Sequence, residues 1–255
     1  RLKEFGYLPQ GVTIKNGHAS YEAGRYYVSV TAEIDKTSRY NNDLEASYHP
    51  QSDGIGVDLG VKSLAIVSDG RIFENINMSS RARRLEKRLR REQRRLSRKY
   101  EMRKRKGGST ATASANIEKK KSSVQKLHQR LANLRRNHEN QVIHALVEQK
   151  PRFITVEDLN VTGMMKNRHL SKAVAQQRFY SFREKLRRKA EIIGIEFRIA
   201  DRFYPSSKTC HACGHVHSGL KLKDRVYICP ACGYTEDRDL NAALNLRDTK
   251  NYRIA

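Results

Sequence analysis

Apolar and polar residues alternate over residues 11 to 35, around the dipeptides at 16–17 (Asn-Gly) and 23–24 (Ala-Gly). A period of two that is interrupted at Gly-containing dipeptides predicts a short antiparallel meander. Two apolar runs between residues 55 and 70 are separated by a Gly-containing turn, which predicts a buried strand hairpin, and RIFENI adds a third strand. The first part of the chain is therefore predicted to be rich in strands.

The next part of the chain has helical periodicity. From Ser79 to Lys106 the apolar residues form a narrow stripe of Leu85, Leu89, Leu96 and Tyr100. GGSTATASA interrupts this helix, and a second one is predicted from about Asn116, so that the two form a helical hairpin. A strand at FITVEDL, a long helix from Ser171 to Ile193 and a strand near 195–199 follow. A final helix is predicted to begin at Asp239, an acid that suits the N-cap position.

Basic charge is concentrated in the first of these helices. The 255 residues contain 51 Lys and Arg against 27 Asp and Glu, a formal net charge of +24, and residues 81 to 106 hold 15 of the bases and 3 of the acids. A solvated helix face normally alternates acids with bases, so this segment, at half the total charge, predicts a polyanionic partner such as nucleic acid. No apolar run approaches the roughly 20 residues that span a bilayer, so a membrane partner is not expected. The residues expected to bind nucleic acid are Arg90, Arg91, Arg94, Arg95, Arg98 and Lys208.

Four cysteines form two CxxC pairs, Cys210 with Cys213 and Cys229 with Cys232, separated by 15 residues. This spacing predicts a closed tetrahedral zinc site on two knuckles, in a reducing compartment, rather than a disulfide framework. Four thiolates leave no open position, so the zinc is predicted to be structural. The nearby histidines are alternative ligands or phosphate contacts: His211, His215 and His217.

Three acids occupy positions that are ambiguous when each is taken singly. Asp58 follows an apolar strand in GVDLG, Glu157 ends FITVE and Asp239 opens the last helix. An acid after a strand is more often a turn residue, and an acid at a helix start is more often a cap. Taken together, the three carboxylates are predicted to meet at one edge of a mixed sheet. Oxygen ligands without histidine favour Mg²⁺ or Mn²⁺, ions that activate water and stabilise the leaving 3′ oxygen of a phosphodiester.

Four stretches resemble the motifs of the TnpB family of transposon-encoded, RNA-guided DNA endonucleases, which is similar to the compact type V CRISPR effectors. GIGVDLGVKSLAIVSDG resembles the first RuvC motif, ITVEDLNV the second and DRDLNAALNL the third. FYPSSKTCHACGHVH with YICPACGYTEDRD resembles the zinc module that binds target nucleic acid. The resemblance implies an α/β protein with an RNase H-like (RuvC-type) nuclease core, a helical hairpin insertion, an inserted four-cysteine zinc ribbon and a partial N-terminal β-barrel (wedge) remnant.

The same resemblance implies roles and partners. Asp58, Glu157 and Asp239 match the catalytic acids that hold Mg²⁺ or Mn²⁺, with Asp239 preferred to Asp237 because it lies two residues before Asn-Ala-Ala. The four cysteines match the zinc ligands. The implied partners are a guide RNA from the transposon end and target DNA, double- or single-stranded, at the nucleoid in the cytoplasm of a prokaryotic host. Further wedge strands and a helical recognition domain are largely absent from the N-terminal part, so the sequence is either a shortened piece of a longer protein or a naturally reduced member.

The implied division places a wedge-like remnant at 1–50, RuvC core parts at 51–78, 151–206 and 236–255, the basic hairpin at 79–150 and the zinc ribbon at 207–235. Three other functions stay open. A transposase would use the same acids to transfer strands at transposon ends, and a guide-independent resolvase would prefer branched DNA. A non-catalytic module would bind RNA or DNA without cutting it.

Overall fold

The computed structural model describes residue 8 and the ranges 12–33, 50–105, 111–221 and 223–255. The chain forms two compact units: Arg1–Asp43 with Met78–Arg136, and Leu44–Asn77 with Asn137–Ala255. Much of the predicted wedge-like region and of the polar stretch after it lies outside the described residues. No described helix is long and apolar enough to cross a membrane.

The first unit contains a two-stranded antiparallel hairpin, β1 (Thr13–Glu22) and β2 (Arg25–Glu33). Ala23 and Gly24 form its turn with φ of 49° and 85°, the positive values that a tight two-residue turn requires. The prediction of a second turn at 16–17 was wrong, because these residues lie inside β1 beside a shift of register. The one extra residue in β1 lies between Ile14 and Asn16, and Gly17 pairs with Val30 in the regular register that follows.

Two long helices follow, α1 (Ser80–Arg105) and α2 (Ala111–Glu148). Within the first unit they pack through an apolar cluster of Leu85, Leu89, Leu96, Val124, Leu127 and Leu131. Both helices and most of the predicted stripe are confirmed, although Tyr100 is exposed. α2 begins before the predicted Asn116, because the residues after the two glycines contain no helix breaker and alanine favours the helix.

The second unit contains a six-stranded mixed sheet in the order β10-β7-β6-β3-β4-β5. Its strands are β3 (Ile55–Leu59), β4 (Ser63–Val67), β5 (Ile72–Glu74), β6 (Phe153–Glu157), β7 (Glu196–Ala200) and β10 (Tyr252–Ile254). β3 is antiparallel to β4 and parallel to β6, and β6 is parallel to β7. The hairpin, the third strand and the two later strands are thus confirmed. The edge strand β10 was not predicted, because three residues are too few to reveal a period.

Three helices connect β6 to β7: α3 (Val161–Lys166), α4 (Ser171–Gln177) and α5 (Phe179–Ile193). The single helix predicted over 171–193 was wrong, because Arg178 has a left-handed backbone (φ 57°) that separates α4 from α5. The side chain of Gln177 donates to the carbonyls of Gly60 and Val61 at 3.0 and 3.2 Å. These tertiary bonds hold the end of α4, and no glycine or proline marks the break in the sequence.

The last helix, α6 (Arg238–Asp248), follows β8 (Val226–Ile228) and β9 (Thr235–Asp237). These two antiparallel strands lie at the end of the cysteine-containing segment predicted over 207–235, which we call the ribbon. The N-cap prediction was wrong by two residues. Asp237 is the cap, since its side chain accepts hydrogen bonds from the backbone N–H groups of Asp239 and Leu240 at 2.9 and 3.1 Å. Because Asp237 serves the helix start, the carboxylate of Asp239 remains for other contacts.

Helix α6 packs directly on β3 at Gly56. A Cβ atom at this position would lie 2.0 Å from the carbonyl oxygen of Ala243 and 2.4 Å from the backbone nitrogen of Arg247. Both atoms belong to the helix backbone, so no side chain can move aside to make room. The absence of a side chain at Gly56 therefore sets how closely the helix approaches the sheet.

We predict that Gly56→Ala lowers the free energy of unfolding by about 2 kcal/mol or more, because α6 must shift to relieve the overlap. Urea unfolding measures the loss. Gly17→Ala is the matched control, since its Cβ would meet only the carbonyl oxygen of Ser29 at 3.7 Å, and it should be nearly neutral. Equal stability of the two variants would mean that the helix does not depend on this contact.

Candidate active site

Two of the predicted acids lie on neighbouring strands. β3 and β6 are parallel, with Val57 opposite Val156, so the next residues along each strand, Asp58 and Glu157, stand side by side. Parallel neighbours in register project their side chains on the same face of a sheet. The register of the two buried strands therefore brings these two carboxylates together.

The third acid lies on α6, where the rise of the helix matches the rise of strand β3. Gly56 and Asp58 lie two residues apart on one face of β3, about 6.6 Å along the strand. Asp239 and Ala243 lie four residues apart on one side of α6, about 6.0 Å along the helix. Since Ala243 contacts Gly56, an antiparallel helix brings Asp239 towards Asp58. The sequence-predicted acids thus converge from β3, β6 and α6.

The charges of these residues act on one another. Burial, followed by the negative charges of Glu157 and Asp239, raises the pKa of Asp58 from 3.8 to about 8. Burial and the neighbouring Asp158 also raise the pKa of Glu157. Asp58 therefore holds its proton to a higher pH than an ordinary aspartate.

Asp239 is held by two guanidinium groups. Arg238 donates to its Oδ1 at 2.7 Å, and Arg225 lies 3.6 Å from its Oδ2. Within the described ranges, only the four cysteines form a group of three or more potential ligands whose atoms all lie within 4.8 Å of one another. The three carboxylates are thus electrostatic neighbours, but their oxygens are not gathered to that distance.

Sequence reasoning missed a charged group beside Glu157. Asp158 accepts from Arg183 at 2.7 Å and from Arg202 at 2.8 Å, one guanidinium on each oxygen. Burial raises the pKa of Asp158, but the two arginines lower it by more than burial raises it, so the net shift is downward. Glu157, Asp158, both arginines and Tyr180 line a cleft of about 280 Å³. The sequence signal was the acidic pair at the end of β6.

The four predicted cysteine ligands lie together. Sγ of Cys210 is 3.7 Å from Sγ of Cys232, and Sγ of Cys213 is 3.6 Å from Sγ of Cys229. Four sulfurs at about 2.3 Å from a tetrahedral zinc would be separated by about 3.8 Å, so the spacing fits zinc. Gly214 and Gly233, with φ of 75° and 74°, turn the backbone after each knuckle.

The nearby histidines make other contacts. His211 lies 3.7 Å from Asp248, and the ring of His217 is 6.2 Å from that of Tyr227 in an edge-on arrangement. Lys208, a predicted nucleic-acid contact, has an exposed side chain, and its carbonyl accepts from the Tyr227 hydroxyl at 3.3 Å. The closely spaced potential ligands in the described ribbon are the four cysteines alone.

The ribbon is attached to α6 by two buried asparagines that sequence reasoning missed. Asn241 and Asn245 hydrogen-bond to the backbone around Thr209, next to the first cysteine. Their spacing of four residues in NAALN places both on one side of the helix, and that spacing was the available signal. Buried amides at such spacing indicate a specific neighbour.

The basic helix α1 presents all five of its predicted nucleic-acid contacts at the surface. Arg90 pairs with Glu86 at 3.5 Å and Arg95 with Glu92 at 2.9 Å, so two of the five are partly neutralised. The other three, Arg91, Arg94 and Arg98, form no ion pair with a described residue.

The acids of α1 also bind the second helix. Glu86 lies 3.1 Å from Arg135 and Glu92 2.6 Å from Lys120, so both carboxylates connect α1 to α2. The hydrogen bond from Lys120 is the first cause that lowers the pKa of Glu92. The few acids of α1 thus stabilise the hairpin, and a shallow groove of basic and polar side chains remains beside them: Arg90, Gln93, Arg94, Ser97 and Arg98.

Known proteins match the chain along most of its length. The OrfB_IS605 family model, described as "Probable transposase", matches residues 29–168, more than half of the chain. The model described as "Cas12f1-like, TNB domain" matches residues 179–246, which include the four cysteines and Asp239.

Individual relatives agree with the family models. A "Putative RNA-guided DNA endonuclease" of Streptomyces pristinaespiralis is 32% identical over 94% of this chain and 54% of its own length. "Putative RNA-guided DNA endonuclease InsQ" of Escherichia coli K12 is 30% identical over 91% of this chain and 56% of its own length. The chain therefore spans about half the length of these curated relatives.

A solved structure, the cryo-EM structure of a CRISPR-Cas12f ternary complex, has the same fold over much of this chain. It matches with a TM-score of 0.55 at 17% identity, over 90% of this chain and 43% of its own. Together with the two family models, this likeness confirms an α/β protein of the kind that the four motifs predicted. The chain belongs to the OrfB_IS605 family, the TnpB family of transposon-encoded proteins.

Proposed function

We propose that the second unit is an RNase H-like (RuvC-type) core that hydrolyses phosphodiester bonds of DNA. The convergence of Asp58, Glu157 and Asp239 carries this proposal, because burial and then the charges of the other two acids raise the pKa of Asp58 to about 8. A partly buried cluster of acids is costly unless a cation neutralises it. Separate parts of the chain supply the cluster, which agrees with a site selected for chemistry.

The donor set fits Mg²⁺ or Mn²⁺, since all three ligands are carboxylates and the described neighbours include no histidine or thiolate. Asp58, Glu157 and Asp239 would hold the ions. The chemistry that such ions supply is activation of water and stabilisation of the leaving 3′ oxygen. Asp239 would exchange its contacts with Arg225 and Arg238 for the cation, and those guanidinium groups would then be available to a phosphate.

We further propose that a guide RNA, derived from the transposon end, selects the target DNA. The names of two relatives that match over more than nine-tenths of this chain support this partner. The exposed arginines of α1 support it too, because a guanidinium without an ion-pair partner suits phosphate contacts that are independent of sequence. The exposed hairpin β1–β2 would be the wedge remnant. The core segments would be 51–78, 151–206 and 236–255, with the basic hairpin at 79–150 and the ribbon at 207–235.

A second function, strand transfer at transposon ends, is favoured by the description "Probable transposase" of the matching family model. It would use the same three acids. The two functions differ in their need for RNA: incubation with transposon-end DNA alone should give strand-transfer products for a transposase. Cleavage that requires a matching guide RNA should be seen for the guided nuclease.

Asp58→Asn is expected to abolish DNA cleavage in Mg²⁺, because it removes a ligand of the ions, while RNA binding stays unchanged. Cleavage of a guide-matched duplex on gels and RNA retention on filters measure the two effects. Exposed Glu148→Gln is the matched control and should cut normally. Cleavage at the wild-type rate by the Asp58 variant would refute the assignment.

The same substitution should raise the stability of the protein when no Mg²⁺ or Mn²⁺ is bound at the acids. The pKa of Asp58 is about 8 in the folded protein and has its ordinary value of 3.8 once the chain unfolds. The folded state therefore holds the proton more tightly, and the free energy of unfolding falls as pH rises from about 4 to about 8. At pH 8, with zinc retained in the ribbon and no Mg²⁺ or Mn²⁺ present, urea unfolding of Asp58→Asn should give a gain of about 1 kcal/mol or more. A loss of stability would contradict the electrostatic account.

Zinc in the ribbon is proposed to be structural, so Cys210→Ser and Cys229→Ser should release zinc and lower the melting temperature. Metal analysis of the purified variants and thermal unfolding measure both effects. His215→Ala is the control, because this exposed histidine lies between the two pairs but is not in the cysteine group, and it should keep its zinc. Full stability of a zinc-free protein would contradict a structural role.

Replacement of Arg91 and Arg94 by Gln should weaken RNA binding for every guide sequence alike. The slope of log affinity against log salt should flatten by about one unit per lost phosphate contact. Arg71→Gln with Arg187→Gln is a charge-matched control, since acids already pair with both residues, Asp69 at 2.7 Å from Arg71 and Glu184 at 3.3 Å from Arg187. If both double variants keep the wild-type slope, α1 is only a solvated helix.

A further inference from the structure

The ribbon and α6 are joined by hydrogen bonds from side-chain amides to backbone. Asn241, which is fully buried, donates from Nδ2 to the Thr209 carbonyl at 2.8 Å and accepts from the His211 N–H at 3.1 Å. These two partners lie on either side of Cys210. One amide therefore binds both flanks of a zinc-ligating residue.

Asn245 repeats this contact one turn later. Its Nδ2 donates to the carbonyls of Ser206 and Thr209 at 2.8 and 2.6 Å. Its backbone carbonyl accepts from the hydroxyl of Tyr204 at 3.4 Å. The residue is 5% exposed, so these bonds are shielded from water. Loss of such a bond would leave a buried polar group without a partner, which is costly.

The two asparagines lie on the side of α6 that is opposite to its active-site face. Asp239 and Ala243 are four residues apart and share the face that meets β3. Asn241 and Asn245 are two residues from Ala243 in each direction, a rotation of about 200° at 3.6 residues per turn. The helix is thus held on one side by the sheet and on the other by the ribbon.

A second link joins the ribbon to the start of α6. The N–H of Arg238 donates to the carbonyl of Arg225 at 2.8 Å, and the guanidinium of Arg225 lies 3.6 Å from Asp239. Asp239 therefore has ribbon contacts at the preceding residue and again two and six residues later in the helix. A shift of the first knuckle would move the helix that carries this acid.

On the basis that Asp239 is a ligand, as in the proposed function, we propose that Asn241 and Asn245 are positioning residues that couple the zinc ribbon to the acid cluster. The ribbon then does more than keep itself folded. Loss of zinc loosens the segment from Ser206 to His211, the two amides lose fixed partners, and Asp239 is no longer held beside Asp58. Divalent cations bind the acids more weakly as a result.

The competing explanation is that the two amides only contribute to general stability. Leu246→Val separates the two explanations, because Leu246 is fully buried on the same helix but donates no bond to the ribbon. Both Leu246→Val and the double variant Asn241→Leu with Asn245→Leu should lower the melting temperature. Only the double variant should also change metal binding.

The experiment measures Mn²⁺ binding to the full chain, free of nucleic acid, with zinc present and after zinc removal by a selective chelator. We expect zinc removal to raise the Kd for Mn²⁺ at least fivefold in the wild type and in Leu246→Val. The zinc-loaded double variant should already have the weakened Kd, and zinc removal should add little to it, since linkage is lost with the contacts that carry it. Zinc release to the chelator should also be at least fivefold faster in the double variant.

Asn245→Ser replaces the double variant if that protein does not fold, and it should show smaller shifts in the same direction. Mn²⁺ binding that ignores both zinc and the two amides would overturn the coupling and leave the proposed function intact. If neither Asp58→Asn nor Asp239→Asn changes the Kd for Mn²⁺ from its wild-type value, the proposed function and the coupling are both overturned.

Discussion

The contact of α6 with β3 at Gly56 is the constraint on which the site depends. A backbone-to-backbone approach of this kind tolerates no side chain, and a Cβ atom would lie 2.0 Å from a helix carbonyl. Because the helix cannot slide along β3 without losing the contact, the register of its first turn with Asp58 depends on it. The match between two strand residues and four helix residues then carries Asp239 to the acids of β3 and β6. Packing of a residue with no functional group thus determines the geometry of the charged ones.

The positions of the acids followed from the sequence, but their electrostatic state did not. Strand ends, a helix start and the family resemblance identified Asp58, Glu157 and Asp239. The cap was misplaced because Asp237 and Asp239 both suit a helix start, and only the hydrogen bonds to the N–H groups of Asp239 and Leu240 distinguish them. The raised pKa of Asp58 depends on burial and on distances between elements far apart in the chain, which a periodicity cannot give.

Local patterns failed where tertiary contacts decide the local structure. The helix predicted over 171–193 breaks at Arg178, although no glycine or proline stands there, because Gln177 binds the turn after β3. Asn-Gly at 16–17 is a strong turn signal, yet both residues pair with β2, opposite Thr31 and Val30. Conversely, the CxxC pairs correctly predicted that the four cysteines lie together, since ligand spacing in a knuckle is a local property.

Divalent cations at the acid cluster would have a second role besides activating water, because the charge of the chain is unevenly distributed. A net charge of +24 attracts a polyanion, but under the proposed function the carboxylates of the cluster would repel the phosphodiester that they are to cut. The guanidinium of Arg238 lowers the pKa of Asp58, but burial and the charges of Glu157 and Asp239 outweigh it, so the pKa stays raised. Divalent ions would convert the cluster from a site that repels phosphate into one that binds it. In the proposed nuclease, basic surface alone would give binding without cutting, and cutting would require the acids to hold divalent ions.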